Sequence, residues 1–436
     1  MSNGTYSAVD FQAWFDNDAH VEKFADVQEL ITGVDVAKQA FYAALTSQHT
    51  EDSDVVYFER HQISEFVDRL ARLEIDAVTL VAEPTGTYSD ALVEQARDAG
   101  LDVIRINGDR VANARKIFDG TDSLHDGKAA HLLAHLYQCG VGRAWEQREE
   151  SVRQMRSLAD LDEIVEQTEQ RYVGQLEAVL ARHWPELTDL LELQSATLLE
   201  LVDEYPDPAR VAEHPRKARE LMKKVGGPLL SDTKIERVLE SARTTCGRPM
   251  GPGDRQKLKY IAGMLRDSQQ RSAKLNRQIE EVAESHEDTQ QLAGYTGART
   301  AVVLVGFLGA LTDYDSPQQL EKAMGLNLCE RSSGVTAEDK RTESYGLHIS
   351  KRGPGRVRKM LYWLALRMIN PRQSVYCPYA TAWYQERLRR NGGHKLKAIV
   401  ALMRKATRAL WWLARGKDYD GTKLFDVHRL KKLGHL

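Results

Sequence analysis

The stretch "LITGVDVAK" (Leu30–Lys38) decides the fold of the first part of the chain. It is a β-rich apolar run that ends in an acidic residue, Asp35. The stretch "DAVTLVAEPTG" (76–86) is a second apolar run, which leads into Glu83 and stops at Pro84. Segments with helical spacing of apolar residues lie between such runs. Strands separated by helices predict parallel pairing and an α/β sheet.

The neighbouring segments extend this α/β pattern over residues 31–149. Further strands are predicted at "AFYAALTSQ" (40–48), "DVVYFERH" (54–61) and "LDVIRING" (101–108), and helices at "ISEFVDRLARLE" (63–74) and "YSDALVEQARDAG" (88–100). Residues 1–30 are expected to form a short N-terminal extension. We therefore expect a multidomain protein that begins with an α/β domain.

Length and composition bound the function. The 436 residues suffice for two or three domains. The longest apolar stretch, residues 301–311, is too short to cross a bilayer, and the acidic N-terminus lacks the features of a signal peptide. The four cysteines show no metal-binding spacing, which favours reduced, buried thiols. We expect a cytoplasmic protein without a membrane partner.

The second half of the chain is predicted to be helical. Residues 150–292 contain two long, highly charged segments whose narrow apolar stripes are typical of a coiled-coil stalk. Such a stripe needs a partner helix, most simply a second copy of the chain, so we expect a homo-oligomer, at least a dimer. Residues 293–436 are predicted to form a further all-α domain.

Charge is distributed very unevenly along the chain. Residues 341–436 contain 22 Lys and Arg against 5 Asp and Glu, a net charge of +17, although the whole chain carries −3. A solvated helix surface usually mixes both signs. The basic C-terminal region on an acidic body therefore indicates a nucleic-acid partner.

Carboxylates at the ends of two predicted strands suggest a metal site. Asp35 and Glu83 each follow an apolar strand, and such side chains can converge on one edge of an α/β sheet. Converging carboxylates can hold Mg²⁺, which prefers oxygen ligands and also uses waters and substrate phosphates. Taken singly, Asp35 is more simply a turn residue and Glu83 a surface residue.

A third acid stands at the entrance to a predicted helix, in "TDSLHDGKAAHLLAHL" (121–136). Asp126 precedes an apolar helical run, and metal-dependent nucleases often carry a second carboxylate about one helical turn later. The residue three positions after Asp126 is Ala129. Stabilisation of the helix N-terminus is an alternative role for Asp126, and Asp122 is a competing candidate with the same alternative.

Several of these motifs together resemble the DEDD insertion-sequence transposases. The N-terminal motifs are "GVDVAK", "AEPTGTYSDALVEQARDAGLDVIRIN" and "HDGKAAHLLA". In the C-terminal half, the stretch beginning "LAGYTGARTAVV" and continuing through "RSSG" to "ISKRGPG" resembles the family's second domain. The resemblance implies a RuvC-like domain of the ribonuclease H group and a helical serine domain, on either side of the coiled-coil helices that the apolar stripes predict. It also implies a recombinase that uses a structured bridge RNA to pair donor and target DNA.

The resemblance also assigns the acidic residues. Asp35 and Glu83 match the first two acids, and Asp126 matches the first member of the family's D-x-x-D-A motif. The second member of that motif falls on Ala129, a departure that implies weak or absent catalysis. Pairing Asp122 with Asp126 instead requires an inserted residue.

The nucleophile implied by the resemblance is Ser333, which would form a covalent phosphoserine link to a DNA end. From "RSSG" alone an ordinary turn is the better interpretation, and Ser332 and Ser350 remain alternatives. A serine needs activation by a base or a metal. Mg²⁺ held by Asp35, Glu83 and Asp126 could supply it, which would make the active site composite.

Basic residues near the C-terminus are candidates for binding nucleic acid, because they combine donors with glycines that allow close approach to phosphate. They are Lys351, Arg352, Arg356, Arg358, Lys359, Arg389, Arg390 and Lys395. Trp411 and Trp412 are candidates for stacking on bases, although aromatic pairs in an apolar helix are usually core residues.

The sequence thus predicts a DNA recombinase that acts by Mg²⁺-assisted transesterification on donor and target DNA, as a dimer and on DNA as a tetramer. Two other functions remain open. A RuvC-like nuclease would use water and form no covalent intermediate. A non-catalytic homologue, lacking an acid at position 129, would bind nucleic acid without cutting it.

Overall fold

The structure of the protein is a computed structural model. It describes residues 7–48, 53–84, 86–118, 125–330 and 347–434. The chain divides into two compact units, residues 1–147 and 148–436. Across the described ranges, no helix combines the length and apolar character that a membrane span requires.

The first unit is built on a mixed sheet of seven strands. The strands are β1 (Ala8–Asp10), β2 (Glu29–Val36), β3 (Ala40–Ser47), β4 (Asp54–Glu59), β5 (Ala77–Ala82), β6 (Asp102–Arg105) and β7 (Arg143–Ala144). Their order across the sheet is β1-β4-β3-β2-β5-β6-β7. This arrangement places β2 and β5 side by side at the centre.

The predicted strands are present, but parallel pairing holds for only part of the sheet. β2 pairs in parallel with β5, and β5 with β6. In contrast, β3 is antiparallel to both β2 and β4. Only three residues separate β2 from β3, too few for the crossover that a parallel connection needs. The expectation of parallel pairing is therefore wrong for this hairpin.

Helices cover both faces of the sheet. They are α1 (Phe11–Phe15), α2 (Asp18–Glu22), α3 (Ile63–Ala71), α4 (Asp90–Asp98), α5 (Gly108–Ala114) and α6 (Asp126–Gln138). One face packs against α1, α3 and α4, and the other against α5 and α6.

The expected N-terminal extension is an integral part of this unit. β1 pairs in parallel with β4 at the edge of the sheet. Phe11, Trp14 and Phe24 are fully buried in the same apolar core as the central strands. The interpretation of residues 1–30 as an appendage is therefore wrong for the described part, since these aromatic side chains complete one face of the sheet.

The second unit is mostly helical. Its first seven helices are α7 (Glu150–His183), α8 (Pro185–Leu190), α9 (Ala196–Glu204), α10 (Pro208–Glu213), α11 (Pro215–Gly226), α12 (Asp232–Thr244) and α13 (Pro252–Ser285). The remaining elements are α14 (Glu287–Thr296), α15 (Ala298–Leu308), α16 (Pro317–Ala323), β8 (Leu328–Glu330), β9 (Leu347–Ile349), α17 (Gly355–Met368), α18 (Pro378–Arg390), α19 (Lys395–Leu413), α20 (Gly421–Leu424) and α21 (Val427–Lys432).

The two long helices of the predicted stalk pack against each other within one chain. Leu265 of α13 is buried in a core with α8–α12, whereas Leu275 and Ile279 are buried with α15, α17 and α19. The apolar stripe of α13 is thus covered without a second copy. The stripe therefore gives no support for an oligomer, and the dimer and tetramer stay predictions.

The cysteines depart from the expectation of buried thiols. All four are free, but only Cys377 is buried, while Cys139 and Cys246 are exposed. Cys139 lies just after the last turn of α6, where the chain leaves the sheet, so its side chain is not drawn into the core.

Candidate active site and nucleic-acid surface

Two acidic residues lie next to each other at the ends of the central parallel strands. The register of β2 and β5 pairs Val34 with Ala82. Asp35 and Glu83 are the next residues of the two strands, so both follow the paired positions at one edge of the sheet. Because side chains alternate along strands, both are directed to the face that α6 covers.

The position of α6 brings a third acid to the same edge. The helix packs directly on β2, and a methyl group at Gly33 would lie 2.6 Å from the backbone nitrogen of Ala134. Leu132 and Leu133 are buried against the sheet. His125 caps the helix, its Nδ1 accepting a hydrogen bond from the amide of Lys128 at 3.3 Å. Asp126 is the first helical residue and is exposed.

The electrostatics of Asp35 place it close to both of the other acids. Burial, followed by repulsion from Asp126 and Glu83, raises the pKa of Asp35 to about 6. Burial also raises the pKa of Glu83, while the guanidinium of Arg115 lowers it. The protein thus holds partly buried carboxylates of like charge close together, an arrangement typical of functional sites.

Arg115 is a member of this site that the sequence did not reveal. It follows the last residue of α5, is half-buried, and opposes the raised pKa values of both Asp35 and Glu83. The start of α5 lies against the same acid, because a methyl group at Gly108 would overlap the carboxylate of Glu83. No periodicity or motif marks Arg115; only the packing of α5 beside β5 brings it there.

The chemistry of the acids fits a hydrated divalent cation. No three His, Cys, Asp or Glu side chains in the described ranges are close enough to enclose a metal ion unaided. Mg²⁺ does not need such a cage, since it keeps several waters and is bound through one or two carboxylates and substrate phosphates. A cation between Asp35, Glu83 and Asp126 would relieve the repulsion that raises the pKa of Asp35. These metal-ligand assignments remain predictions.

Ala129 lies one turn along α6 from Asp126. Its side chain is buried, and its amide donates to the carbonyl oxygen of His125 at 3.0 Å. The methyl group offers no oxygen donor. Asp122, the alternative fourth acid, and the candidate nucleophiles Ser332 and Ser333 lie outside the described residues.

Three of the predicted nucleic-acid contacts have structural partners instead. Arg356 is buried and forms ion pairs with Asp162 and Glu166 of α7. Lys359 pairs with Glu166 at 2.8 Å. Arg358 donates to the carbonyl oxygen of Gly353. The prediction of a phosphate contact is wrong for Arg356, because its guanidinium is enclosed, and the donors of the other two are engaged within the unit.

The other predicted contacts are accessible. Lys351, Arg352, Arg389 and Lys395 are exposed. Arg390 pairs with the buried carboxylate of Glu386 at 2.7 Å. The surface around α17–α19 therefore keeps a basic character, and the use of these residues in binding stays a prediction.

Two parts of the chain match models of known protein families. A family model described as a transposase, of the DEDD type of IS110, matches residues 32–185, which include Asp35, Glu83 and Asp126. A second model, described as the transposase IS116/IS110/IS902 family, matches residues 290–377. No curated protein matches the chain significantly.

The fold, the acidic edge and these matches define the class: the chain carries transposase domains, and its first domain is ribonuclease H-like. Both matched models describe transposase domains of the IS110 type, and the two domains occur in the order expected from the motifs. The matches support a DNA transposase function with DNA as the substrate. Nucleases of the DEDD, RuvC-like type typically use divalent metal ions.

Proposed function

We propose that this transposase cuts and rejoins DNA strands through a covalent phosphoserine intermediate, with Ser333 as the nucleophile. The observation that carries the metal-dependent part is the convergence of Asp35, Glu83 and Asp126 at one sheet edge. The assignment of Ser333 rests on its place in "RSSG" ahead of "ISKRG" in the family pattern.

The chemistry follows from these residues. The Oγ of Ser333 attacks the phosphorus of a phosphodiester, the bond to the leaving oxygen breaks, and that oxygen takes up a proton. The hydroxyl proton of Ser333 passes to a carboxylate or a water. Bound Mg²⁺ would stabilise the charge that develops on the phosphate oxygens. Asp35, Glu83 and Asp126 would hold the Mg²⁺ ion. In a second step, attack by a strand hydroxyl on the phosphoserine would rejoin the DNA and release the serine.

Arg115 can serve this site through its charge and through its hydrogen-bond donors. Its guanidinium reduces the repulsion between Asp35 and Glu83 before the substrate binds. An arginine is also suited to a phosphate oxygen, because its planar fork offers several donors. We propose that Arg115 keeps the acids in place and helps to orient the phosphodiester.

Recognition of DNA is proposed to use the basic C-terminal region and a structured guide RNA. The net charge of +17 over residues 341–436 supports a polyanionic partner. The bridge RNA is the partner that the family resemblance implies. Purification of the protein from its native host, followed by sequencing of the bound nucleic acid, should return one discrete structured RNA; bulk cellular RNA alone would contradict this part.

A RuvC-like nuclease that uses water is the second candidate, favoured by the fact that the three described acids all belong to the first unit. Ser333→Ala distinguishes the two. If the proposal is right, Ser333→Ala forms no protein–DNA adduct and cuts no strand. Ser350→Ala still forms the adduct and still cuts DNA. If Ser333→Ala still cuts labelled DNA in Mg²⁺, the nuclease is the better function.

A third candidate, a binding protein without catalysis, follows from Ala129. Its distinguishing test is the restored acid, Ala129→Asp, in which Ser333→Ala should be compared as well. A chain that binds DNA but never cuts it, with or without an acid at position 129, would be a non-catalytic homologue.

A further inference from the structure

One face of α19 carries a row of cations that ends in an exposed tryptophan. Lys397, Arg404, Arg408 and Trp412 recur at helical spacing and therefore share a side of the helix. The row spans sixteen residues, or about 22 Å of helix from the first to the last. Over this length a nucleic-acid strand presents several phosphates.

Two clefts follow this face and meet at Lys405. The first, of about 690 Å³, lies between α18, α19 and the strands β8 and β9, and includes Lys397 and Arg404. The second, of about 470 Å³, lies between the end of α19 and α20, and includes Arg408 and Trp412. Lys405 lines both clefts, so they are adjacent, and we call the two together the track.

The two neighbouring tryptophans have different roles. Trp411 is fixed, since its Nε1 donates to the carbonyl oxygen of Tyr314 at 2.7 Å and the guanidinium of Arg415 lies 3.7 Å from its ring centre. Trp412 packs edge-to-face on Trp411, with ring centres 4.8 Å apart, and is 50% exposed. The fixed neighbour thus orients an indole whose ring remains open to the second cleft.

The charge of the track is strongly positive. Nine Lys and Arg line the two clefts, against three Asp and Glu. Arg404 and Arg408 also pair with the buried carboxylate of Glu321, at 2.9 and 3.3 Å. Burial lowers the pKa of Lys405, and repulsion from Arg408 and Arg387 lowers it further. Asp420 is occupied, because its carboxylate accepts from the amide of Thr422 at 2.9 Å. A ligand for this track must therefore be anionic and must offer a flat apolar surface to Trp412.

We propose that this track binds a nucleic-acid strand with one unpaired base stacked on Trp412 and with its phosphates beside the exposed Lys397 and Lys417. This inference rests on the proposed function. It adds a binding site for a nucleic-acid strand that is separate from Asp35, Glu83 and Asp126. An unpaired base has the flat π surface that Trp412 can cover, and its phosphates have the charge that the cations require. DNA and RNA share this chemistry.

The test compares Trp412→Leu and Trp412→Phe in the full chain. Binding of labelled twelve-nucleotide single-stranded DNA, the matching RNA and the duplex is measured by fluorescence anisotropy. Trp363→Leu is the control, because Trp363 has the same 50% exposure on another helix, α17. Thermal unfolding of each variant checks that the fold is intact.

We expect Trp412→Leu to weaken binding of a single strand about tenfold, since stacking on one base contributes roughly 1–3 kcal/mol. Trp412→Phe should keep most of the affinity, and Trp363→Leu should match the wild type. Log affinity falls as log salt concentration rises, and Lys397→Glu and Lys417→Glu should each make this slope less steep by about one. The exposed Lys234→Glu, on α12, is the charge control.

The outcomes separate the inference from the proposed function. A loss with DNA alone, RNA alone or both supports the track and identifies its source. Wild-type affinity in Trp412→Leu, an equal loss in Trp363→Leu, or an equal loss with the duplex would overturn the track while the transposase function stands. If the wild type binds none of the three oligonucleotides, the track and the proposed function both fail.

Discussion

Gly33 and Ala134 lie so close that a methyl group on the glycine would stand 2.6 Å from the backbone nitrogen of the alanine. The first residue belongs to the central strand β2 and the second to α6. The nitrogen of Ala134 belongs to the backbone of a helix, so it cannot move aside as a flexible side chain would. This contact sets the distance between the strand that carries Asp35 and the helix that begins at Asp126.

Gly33→Ala should therefore damage both the stability and the acidic site. The added methyl would force α6 away from the sheet, which we expect to lower the free energy of unfolding by about 1–3 kcal/mol. Urea unfolding measures this change. Gly174→Ala is the control, since no atom lies within 4 Å of its added methyl; it should leave stability unchanged or raise it by up to about 1 kcal/mol. Equal stability of the two variants would contradict the close packing.

Ala129→Asp should restore an acid and increase Mg²⁺-dependent strand cleavage at least about tenfold, because residues three apart share one helix face. The side chain at position 129 is buried. Ala129→Asp should thus have a lower melting temperature than the wild type without metal, and Mg²⁺ should restore the melting temperature. Cleavage of labelled DNA and thermal unfolding check both effects. Adding Asp126→Asn should abolish the gain; a wild-type chain that already cleaves as fast as Ala129→Asp would refute the prediction.

Arg356→Ala should destabilise the second unit strongly. Arg356 is buried and pairs with Asp162 and Glu166. Asp162 keeps Arg299 as a partner at 2.7 Å and Glu166 keeps Lys359 at 2.8 Å, so no carboxylate is left unpaired. Loss of the buried, charge-assisted hydrogen bonds of Arg356 should still cost about 1.5–3 kcal/mol. Arg352→Ala, at an exposed site in the same segment, should change stability by less than about 0.5 kcal/mol. Chemical denaturation of the two variants is the measurement, and similar midpoints would show that the pair contributes little.

The same cluster predicts how stability depends on pH. Burial by itself would raise the pKa of Glu166, but hydrogen bonds from Lys359 and Arg356 hold it below its ordinary value of 4.5. Because the folded-state pKa is lowered, the stabilisation is complete above pH 4.5 and is lost as the pH falls through the lower folded-state value. The difference in melting temperature between wild type and Glu166→Gln should therefore shrink in acid.

Glu169 provides the matched control for this pH series. Burial raises its pKa above the ordinary value of 4.5, so its ionised form is destabilised in the folded protein. Glu169→Gln should thus raise the melting temperature at neutral pH, with the gain disappearing on acidification. If both substitutions shifted the melting temperature in the same direction at neutral pH, the assignment of opposite pKa shifts would be wrong.

Charge reversal at exposed basic residues should weaken binding of nucleic acid without unfolding the protein. Lys351→Glu, Arg389→Glu and Lys395→Glu should each reduce the salt dependence of binding, by about one in the log–log slope per lost phosphate contact. Titrations at several salt concentrations give the slope. Truncation at Lys340 is a poorer test, because α17 and α19 supply buried residues to the core of this unit. Unchanged slopes in all three variants would place the binding surface elsewhere.

The placement of Asp35 and Glu83 at one edge of the sheet could be predicted because the signal is local, while their role stays a prediction. A strand that ends in Asp35 and another that ends in Glu83 need only lie in parallel for the two acids to meet, and apolar runs identify such strands. The partner of an apolar stripe is not a local property. The stripe of α13 could equally have faced a second chain, and only the structure shows that α7 covers it.

The roles of individual cations could not be predicted for a similar reason. Arg356 and Arg352 stand in the same basic motif, yet one is buried and the other exposed. What separates them is the carboxylate of Asp162, which lies 194 residues earlier in the chain. A positive charge in a sequence gives no information about a partner at that separation, and Arg115 was missed because its partners are equally non-local.

α7 and α13 have equal lengths of 34 residues each. The length of this helix pair sets how far the core formed with α8–α12 lies along the axis. Adding seven residues to both helices would keep the apolar seam in register and carry that core about 10 Å further along the axis. Adding a single residue to one helix would instead rotate its seam by about 100° and separate the two. The position of that core along the axis therefore depends on a matched length of the two helices, in steps of about two helical turns.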